Sequence, residues 1–218
     1  NFVHLSSQDI TALTTGQIAG LTTDQLSAIT SDQIAGFETA DIAKLNMDQA
    51  SALINNTSAI QAMNGAQLEA MTLTSPIMLD LNGNGIDTLS ANHGVNFDLI
   101  GTGNSSNKYG WAAGGDGLLA IDRNGDGIIN SGAELFGNGT MLANGHRAAN
   151  GYQALAAEDL NIDGKLNSLD ASFNHLRVWV DANHDGKTDA GELKTLADLG
   201  IVELDLNARA NSDISNGN

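Results

Sequence analysis

The first third of the chain repeats its apolar and polar positions with a period of eight residues. One apolar series comprises Leu5, Leu13, Leu21, Ile29, Phe37 and Leu45, and the other comprises Ile10, Ile18, Leu26, Ile34 and Ile42. Eight residues of continuous helix rotate by about 800°, so the apolar stripe would drift by about 80° per repeat around one long helix. A single helix could not bury such a stripe, and the pattern therefore favours a series of short helices.

Each octad also contains its own signal for the start of a helix. The signal is Thr-x-x-Gln, with Thr14, Thr22 and Thr30 followed three residues later by Gln17, Gln25 and Gln33. In such a capping box the hydroxyl accepts the N–H of the third helical residue, and the glutamine accepts the N–H of the cap. We therefore expect residues 1–74 to form short, re-capped helices stacked as a narrow solenoid, with the repeat weakening after Leu45. We interpret this segment as a spacer or stalk.

A boundary near residue 74 separates the octads from a glycine-rich remainder. Residues 1–74 contain 4 glycines, residues 75–218 contain 21, and the single proline, Pro76, lies at the junction. Short apolar runs predict strands at 76–79, 118–121, 176–180 and 201–206, and other segments predict helices at 133–136, 151–158 and 193–199. The predicted fold class is α+β: an all-α octad solenoid over 1–74, followed by an α+β domain over 75–218.

The strongest chemical signal is a twelve-residue loop from Asp181 to Glu192. It places oxygen-bearing side chains at positions 1, 3, 5, 9 and 12 and a glycine at position 6, which is the pattern of an EF-hand calcium loop. The predicted ligands are Asp181, Asn183, Asp185, the carbonyl of Lys187, Asp189 and Glu192. We expect Glu192 to lie in the first turn of the helix at 193–199. The alternative is an Asx-rich turn without a metal.

Two further loops share this pattern with changes at the closing position. One offers Asp159, Asn161, Asp163, the carbonyl of Lys165, Asn167 and Asp170, and its closing residue is the shorter aspartate. The other offers Asp122, Asn124, Asp126, the carbonyl of Ile128, Asn130 and Glu134, and its closing carboxylate falls at position 13. We expect the loops at 159 and 181 to face each other as a pair. Asx turns remain the alternative for both loops.

A fourth loop, from Asp80 to Asp87, has only the first half of the pattern. Its candidate ligands are Asp80, Asn82, Asn84 and Asp87, and position 12 is Ala91. A closing carboxylate must therefore come from elsewhere, and Asp87, Asp98 and Asp116 are the candidates. Calcium prefers six to eight oxygen ligands, and each of the three loops with a closing carboxylate offers about that number. We therefore expect three calcium ions in the domain, and a fourth if this loop also binds.

Composition narrows the function classes that remain. The formal net charge is −17, which argues against nucleic acid and anionic membranes as partners. The chain has no cysteine, which excludes disulfides and thiolate zinc sites. No apolar run approaches the ~20 residues of a membrane span. The abrupt ends suggest a fragment of a longer protein.

Several motifs follow one another in a fixed order along the second part of the chain. They are Ser75–Ile86, Gly110-Trp111, Asp116–Leu119, Asp122–Gly137, Gly151-Tyr152, Leu176–Trp179 and Leu193–Gly200. Taken in order, these motifs resemble the calcium-dependent self-processing module of iron-regulated RTX proteins. The likeness covers roughly residues 75–206, and the octads are similar to repeats of large bacterial surface adhesins. The resemblance implies type I secretion, folding on extracellular calcium, a location outside the cell or on a bacterial surface, neighbouring domains as partners, and a module that continues past Asn218.

The resemblance also implies calcium-triggered cleavage of an Asp-Pro bond at the start of the module. In that chemistry the aspartate attacks its own carbonyl, and water or a lysine amine opens the anhydride. The proline corresponds to Pro76, but the nucleophilic aspartate is replaced by Ser75, whether naturally or by engineering. Serine cannot form the anhydride, so we predict no catalytic residue here, and only a vestigial scissile position at Ser75 and Pro76. Two hypotheses follow: a calcium-binding structural module, and an autoprocessing enzyme.

Overall fold

The computed structural model describes residues 2–71, 76–103 and 105–207. The chain divides into two compact units, Asn1–Leu73 and Thr74–Asn218. The first unit is helical and the second combines short strands with little helix, so the fold class is α+β, as predicted. Within the described ranges, no helix is long and apolar enough to cross a membrane.

Eight short helices follow a 3-10 turn at Phe2–His4 in the first unit. They are α1 (Ser7–Thr11), α2 (Thr15–Ala19), α3 (Thr23–Ser27), α4 (Ser31–Ile34), α5 (Thr39–Ile42), α6 (Met47–Ile54), α7 (Thr57–Ala62) and α8 (Gly65–Ala70). Thr14, Thr22 and Thr30 each form the predicted capping box. Ser6, Asn46 and Asn64 form further boxes. The prediction of re-capped helices is therefore confirmed.

The helices stack with a repeat of three. Helix α1 contacts α4, α2 contacts α5, α3 contacts α6, α4 contacts α7 and α5 contacts α8. One turn of the stack therefore takes three octads, an arrangement that the eight-residue period alone did not specify. The second apolar series lies at the centre, where Ile10, Ile18, Leu26 and Ile34 are fully buried. The stack also continues beyond Leu45, where the sequence pattern weakens, since α6, α7 and α8 contact α3, α4 and α5.

Buried glutamines join successive turns of the stack. The Gln49 side chain accepts the N–H of its own cap, Asn46, and its amide nitrogen donates to the carbonyls of Ala19 and Leu21 at 2.9 and 2.7 Å. Gln67 donates in the same way to carbonyls about thirty residues earlier. Each of these glutamines thus accepts the N–H of its own helix cap and donates to carbonyls of a preceding turn of the stack.

The second unit is built on one four-stranded antiparallel sheet with the order β1-β6-β8-β9. Its strands are β1 (Met78–Leu79), β6 (Gly117–Ile121), β8 (Leu176–Trp179) and β9 (Leu193–Thr195). Three two-stranded pairs surround it: β2 (Thr88–Leu89) with β5 (Trp111–Ala112), β3 (Val95–Asn96) with β4 (Lys108–Tyr109), and β7 (Lys165–Asn167) with β10 (Glu203–Asp205). Helix α9 spans Gly151–Ala156.

The sheet buries both of its faces because alternate residues of a strand point to opposite sides. Leu119 and Val178 belong to one core cluster, together with Phe136 and the α9 residue Leu155. Leu118, Ala120 and Trp179 belong to the other, together with Trp111 and Phe97. Packing on both faces holds β6 in place, with Asp116 directly before it and the loop from Asp122 directly after it.

Two predictions of helices are wrong in this unit. The predicted helix at 193–199 is instead strand β9 followed by a turn, because Leu193–Thr195 pairs with the free edge of β8. The predicted helix at 133–136 is a single 3-10 turn, Gly132–Glu134. The four predicted strands and the helix before Asp159 are present; β6 begins one residue earlier than predicted, and the other elements are shorter.

Candidate metal centre

The four predicted loops share one backbone geometry. In each, the N–H of the glycine at position 6 donates to a carboxylate oxygen of the aspartate at position 1, at 2.9 Å. The glycines at this position, Gly85, Gly127, Gly164 and Gly186, all have positive φ, as expected. Position 4 also has positive φ in every loop, although two of the loops have Ile162 and His184 there. The position-1 carboxylate therefore organises a tight turn.

A fifth turn has the same backbone without the ligand pattern. Asp98 accepts the N–H groups of Thr102 and Gly103 at 2.8 and 2.7 Å, and Gly101 and Gly103 have positive φ. The guanidinium of Arg147 donates to the carbonyls of Ile100 and Gly101 in this turn. Burial lowers the pKa of Arg147, and the nearby Asp98 carboxylate opposes that shift. The turn geometry is therefore not by itself a sign of a metal.

Asp122, Asp126 and Glu134 bring three carboxylate oxygens together, all within 4.8 Å of one another. Across the described parts of the chain, this is the one group of three or more acidic, histidine or cysteine residues that is close enough to hold a metal ion. Asp126 is exposed, Asp122 is half-buried and Glu134 is buried. The site thus opens to solvent on one side and has a buried carboxylate as its floor.

The extra residue before Glu134 is absorbed by the 3-10 turn. Ser131 caps the turn through its hydroxyl, which accepts the N–H of Ala133 at 3.1 Å. One Glu134 oxygen accepts the N–H of Asn130, at loop position 9, at 3.0 Å. The other oxygen, Oε1, is buried and has no hydrogen-bond partner. The position-13 carboxylate therefore reaches the place of the usual position-12 residue and keeps one oxygen free.

In the loop from Asp181 to Glu192 both oxygens of the closing carboxylate accept hydrogen bonds. Its oxygens accept the N–H groups of Ala182 and Asp189 at 2.9 and 3.0 Å and the indole N–H of Trp179 at 3.3 Å. Burial raises the pKa of Glu192, but these hydrogen bonds outweigh it, and the pKa lies below its ordinary value. Glu192 is therefore held as a carboxylate over the loop, and it follows a turn rather than opening a helix.

The loop from Asp159 to Asp170 closes in the same way with a shorter side chain. Asp170 is 1% exposed, and its oxygens accept the N–H groups of Leu160 and Asn167 at 3.2 and 3.0 Å. Lys165 begins strand β7, and its ammonium forms an ion pair with Glu203 at 2.8 Å. The shorter aspartate therefore reaches the amides at loop positions 2 and 9, the same two positions that Glu192 reaches in its own loop.

The loop from Asp80 to Asp87 is closed by Asp116. Asp116 is 2% exposed and accepts the N–H groups of Leu81 and Asp87 at 3.2 and 2.8 Å. Leu81 is loop position 2, as are Ala182 and Leu160 in the other loops. Sequence reasoning left Asp87, Asp98 and Asp116 as alternatives, and the antiparallel pairing of β1 with β6 selects Asp116, because that residue directly precedes β6.

The predicted pairing of the loops at 159 and 181 is wrong. The loop at 181 instead pairs with the loop at 122, because the Thr188 hydroxyl accepts the N–H of Ile129 at 2.9 Å and donates to its carbonyl at 3.1 Å. Both residues occupy position 8 of their loops. The loop at 159 pairs through β7 with β10. Strand partners far apart in sequence thus decide which loops meet.

The remaining predicted ligands line the loops. Asn124 and Asn130 donate their amide N–H groups to Asp126, and Asn183 donates to Asp189. Asn161 donates to Asp163, and Asn84 donates to Asp87. The backbone N–H groups of Ile128, Lys165 and Lys187 donate to the aspartates at position 5. Pro76 lies beside Gly137, whereas Ser75 lies outside the described residues.

Comparison with known proteins gives two family matches and a relative. Residues 77–218 match the SPM domain, and residues 2–39 match the ALTTAQ repeat. The chain is 49% identical over 146 residues to iron-regulated protein FrpA of Neisseria meningitidis serogroup C. The alignment covers 66% of this chain and 13% of that protein, so the chain spans a small part of the relative's length.

Proposed function

The chain belongs to the SPM domain family, and from that premise we propose that its second unit is a calcium-binding module of a larger secreted or cell-surface protein. In this proposal the module folds fully only where calcium is abundant. The octad unit acts as a spacer.

The unpartnered Oε1 of Glu134 is the observation that carries this proposal. A buried oxygen without a partner costs about 1–3 kcal/mol, and more when the group is charged. A cation between Asp122, Asp126 and Glu134 would offset that cost, because three carboxylate oxygens already point to one place. The positive charge of the metal would stabilise this oxygen, which no N–H group of the described residues bonds.

The donor set favours calcium over other divalent ions. The loop from Asp122 to Glu134 offers carboxylates, the side-chain amides Asn124 and Asn130, and the carbonyl of Ile128, and it contains no histidine or cysteine. Oxygen-only sites with many ligands suit calcium, whereas zinc and copper prefer nitrogen or sulfur ligands. The loops at 159, 181 and 80 would hold further ions, the last with Asp116 as its closing residue.

Calcium would then act on the folding equilibrium. Each site adds about 2.7 kcal/mol of stability when calcium exceeds its Kd a hundredfold. Without the ion, carboxylates within each loop repel one another, which keeps the chain loose where calcium is scarce.

Calorimetric titration with calcium, combined with native mass spectrometry, tests the proposal. We expect three or four bound ions in the wild type, and one fewer in Glu134→Gln. Asp198→Asn is the matched control, because Asp198 is a surface acid that contacts Thr195 and no loop ligand. A wild type without calcium binding, or an unchanged ion count in Glu134→Gln, would contradict the proposal.

Self-processing is the second candidate, because the family resemblance places a scissile bond before Pro76. We propose that this chain does not cleave itself, since Ser75 lacks the carboxylate that the chemistry requires. Incubation with calcium followed by mass spectrometry is expected to leave the wild type intact, and Ser75→Asp is expected to restore cleavage. Cleavage of the wild type between Ser75 and Pro76 would overturn this part.

A further inference from the structure

Both tryptophans of the chain donate their indole N–H groups to the carboxylates that begin and end the loop at 181. Trp111 donates to Oδ2 of Asp181 at 2.7 Å, and Trp179 donates to Oε2 of Glu192 at 3.3 Å. All four side chains are buried, with Trp111 and Trp179 at 1% and 0% exposed and Asp181 and Glu192 at 4% and 7%.

A third ring fixes the positions of the two indoles. The ring centre of Phe97 lies 5.1 Å from that of Trp111 and 5.7 Å from that of Trp179, and the two indoles meet edge to face at 5.5 Å. Trp111 begins β5 and Trp179 ends β8. Because neither indole can move without disturbing the cluster, the N–H groups point at the carboxylates from a rigid base.

The loop at 181 is the only one of the four loops with this support. In the described residues, the position-1 carboxylates of Asp80, Asp122 and Asp159 accept backbone N–H groups alone. The closing residues Asp116 and Asp170 likewise accept only backbone N–H groups. The indoles therefore distinguish one loop from the other three.

We propose that Trp111 and Trp179 are positioning residues that hold Asp181 and Glu192 in the orientation that a calcium ion requires. The proposal rests on calcium binding by this loop, as proposed above. An indole N–H is a donor only, and each indole shares its carboxylate oxygen with a backbone N–H, at Oδ2 of Asp181 and Oε2 of Glu192. The other oxygen of each carboxylate, Oδ1 or Oε1, keeps a lone pair for the metal. A carboxylate that is already oriented loses little conformational freedom when the ion binds.

Loss of an indole N–H should therefore weaken binding at this loop. Removing the hydrogen-bond partner of a metal ligand lowers metal affinity by about 10–100-fold. Trp111→Phe and Trp179→Phe both keep an aromatic ring in the cluster and remove the N–H group. Phe97→Leu is the matched control, because it removes a ring from the same cluster and Phe97 has no donor that could bond either carboxylate.

Terbium replaces calcium as the probe, because an indole beside the ion sensitises its luminescence. In Trp111→Phe the remaining Trp179 reports on the loop, and in Trp179→Phe the remaining Trp111 does so. We expect the terbium midpoint to rise about 10–100-fold in each variant. Because Phe97→Leu loosens the cluster but keeps both indole N–H groups, we expect its midpoint to rise less than in either tryptophan variant, while it unfolds more easily in chelator.

The outcomes separate the inference from the proposed function. Wild-type midpoints in both tryptophan variants would overturn the inference, and so would an equal loss of affinity in Phe97→Leu. A wild type that gives no sensitised emission, and no calcium binding by calorimetry, would instead overturn calcium binding at this loop. If one tryptophan variant does not fold in chelator, the other variant and the metal-loaded titration decide the question.

Discussion

At the scale of single residues, Ile162 has a backbone conformation that costs energy. Its φ is +58°, and its side chain is 87% exposed. A left-handed conformation costs roughly 1–2 kcal/mol for a residue with a Cβ, and β-branched residues adopt it rarely. The position persists because the N–H of Ile162 donates to Asp159 at 2.8 Å, which closes the turn. No packing compensates for the strain.

Replacing Ile162 with glycine should therefore stabilise the second unit. Glycine removes the strain and costs about 0.5–1 kcal/mol in chain entropy, so we expect a net gain of about 0.5–1 kcal/mol in the free energy of unfolding. Leu160→Gly is the control, because Leu160 is 71% exposed in the same loop and lacks positive φ. That variant should lose stability in urea denaturation. Equal effects of the two changes would refute the assignment of strain.

Asp9 gives a second prediction at this scale, in the first unit. Hydrogen bonds from the N–H and hydroxyl of Ser6 hold the pKa of Asp9 below its ordinary value of 3.8. A depressed pKa stabilises the fold above pH ~3.8, and this contribution disappears as the pH falls through the lower folded pKa. In Ser6→Ala we expect an NMR titration to place the pKa of Asp9 closer to 3.8. An unchanged titration would show that the cap is absent in solution.

At the scale of elements, the glutamine at the third helical position differs between the first turn of the stack and later turns. Gln17 is exposed, and its side chain serves its own cap, Thr14. Gln49 is buried, and in addition donates to two carbonyls of the α2 region. One residue type at one repeat position therefore has two different roles, which depend on whether a preceding turn lies beneath it.

The exchange of glutamine for glutamate separates those roles. In Gln49→Glu a buried carboxylate faces two carbonyls and loses both donors, so we expect a loss of about 3–5 kcal/mol. In Gln17→Glu the carboxylate stays in water and still accepts the cap N–H, so the change should lie within about 0.5 kcal/mol of zero. Thermal unfolding followed by circular dichroism at 222 nm measures both variants. A similar loss in both would refute the bridging role of Gln49.

The elements that could be predicted from the sequence are those that local patterns determine. The octads give the helix starts because each cap contacts residues of its own turn, and the loops give their glycines because position 6 requires positive φ. Long-range pairing decides the rest. Leu193–Thr195 becomes a strand because the edge of β8 is available, and Thr188 meets Ile129 rather than the loop at 159. The choice of Asp116 and the indole contacts depends on the same sheet.

At the scale of the whole molecule, the acidity is concentrated in the proposed metal sites. Of the 26 acidic residues, 12 lie in the four loops, and three or four calcium ions would bring the net charge from −17 to between −11 and −9. Three of the four loops connect to the four-stranded sheet, since Asp116 precedes β6, Asp122 follows it and Glu192 precedes β9. Ion binding at one loop can therefore change the stability of segments far from it.

The start of the second unit, at Pro76 and Ile77, is a segment whose stability can depend on ion binding at another loop. The N–H of Ile77 donates to the carbonyl of Phe136 at 3.0 Å, two residues beyond Glu134, and the carbonyl of Ile77 accepts the N–H of Leu119 at 2.8 Å. A Cβ on Gly137 would lie 3.3 Å from the Cα of Pro76, so the two backbones are in close contact. The segment that follows Glu134 therefore packs directly against the backbone of Pro76 and Ile77.

Calcium at Glu134 should consequently protect the amide of Ile77 from hydrogen exchange. At calcium a hundredfold above Kd we expect exchange to slow by about 100-fold, because opening of this segment must release the ion. Glu134→Gln should abolish the effect, whereas Asp170→Asn should keep it, since Asp170 closes the separate loop at 159. Protection that survives in Glu134→Gln would show that the order at Pro76 comes from the sheet alone. Protection lost in both variants would mean that the loops fold as a single cooperative unit.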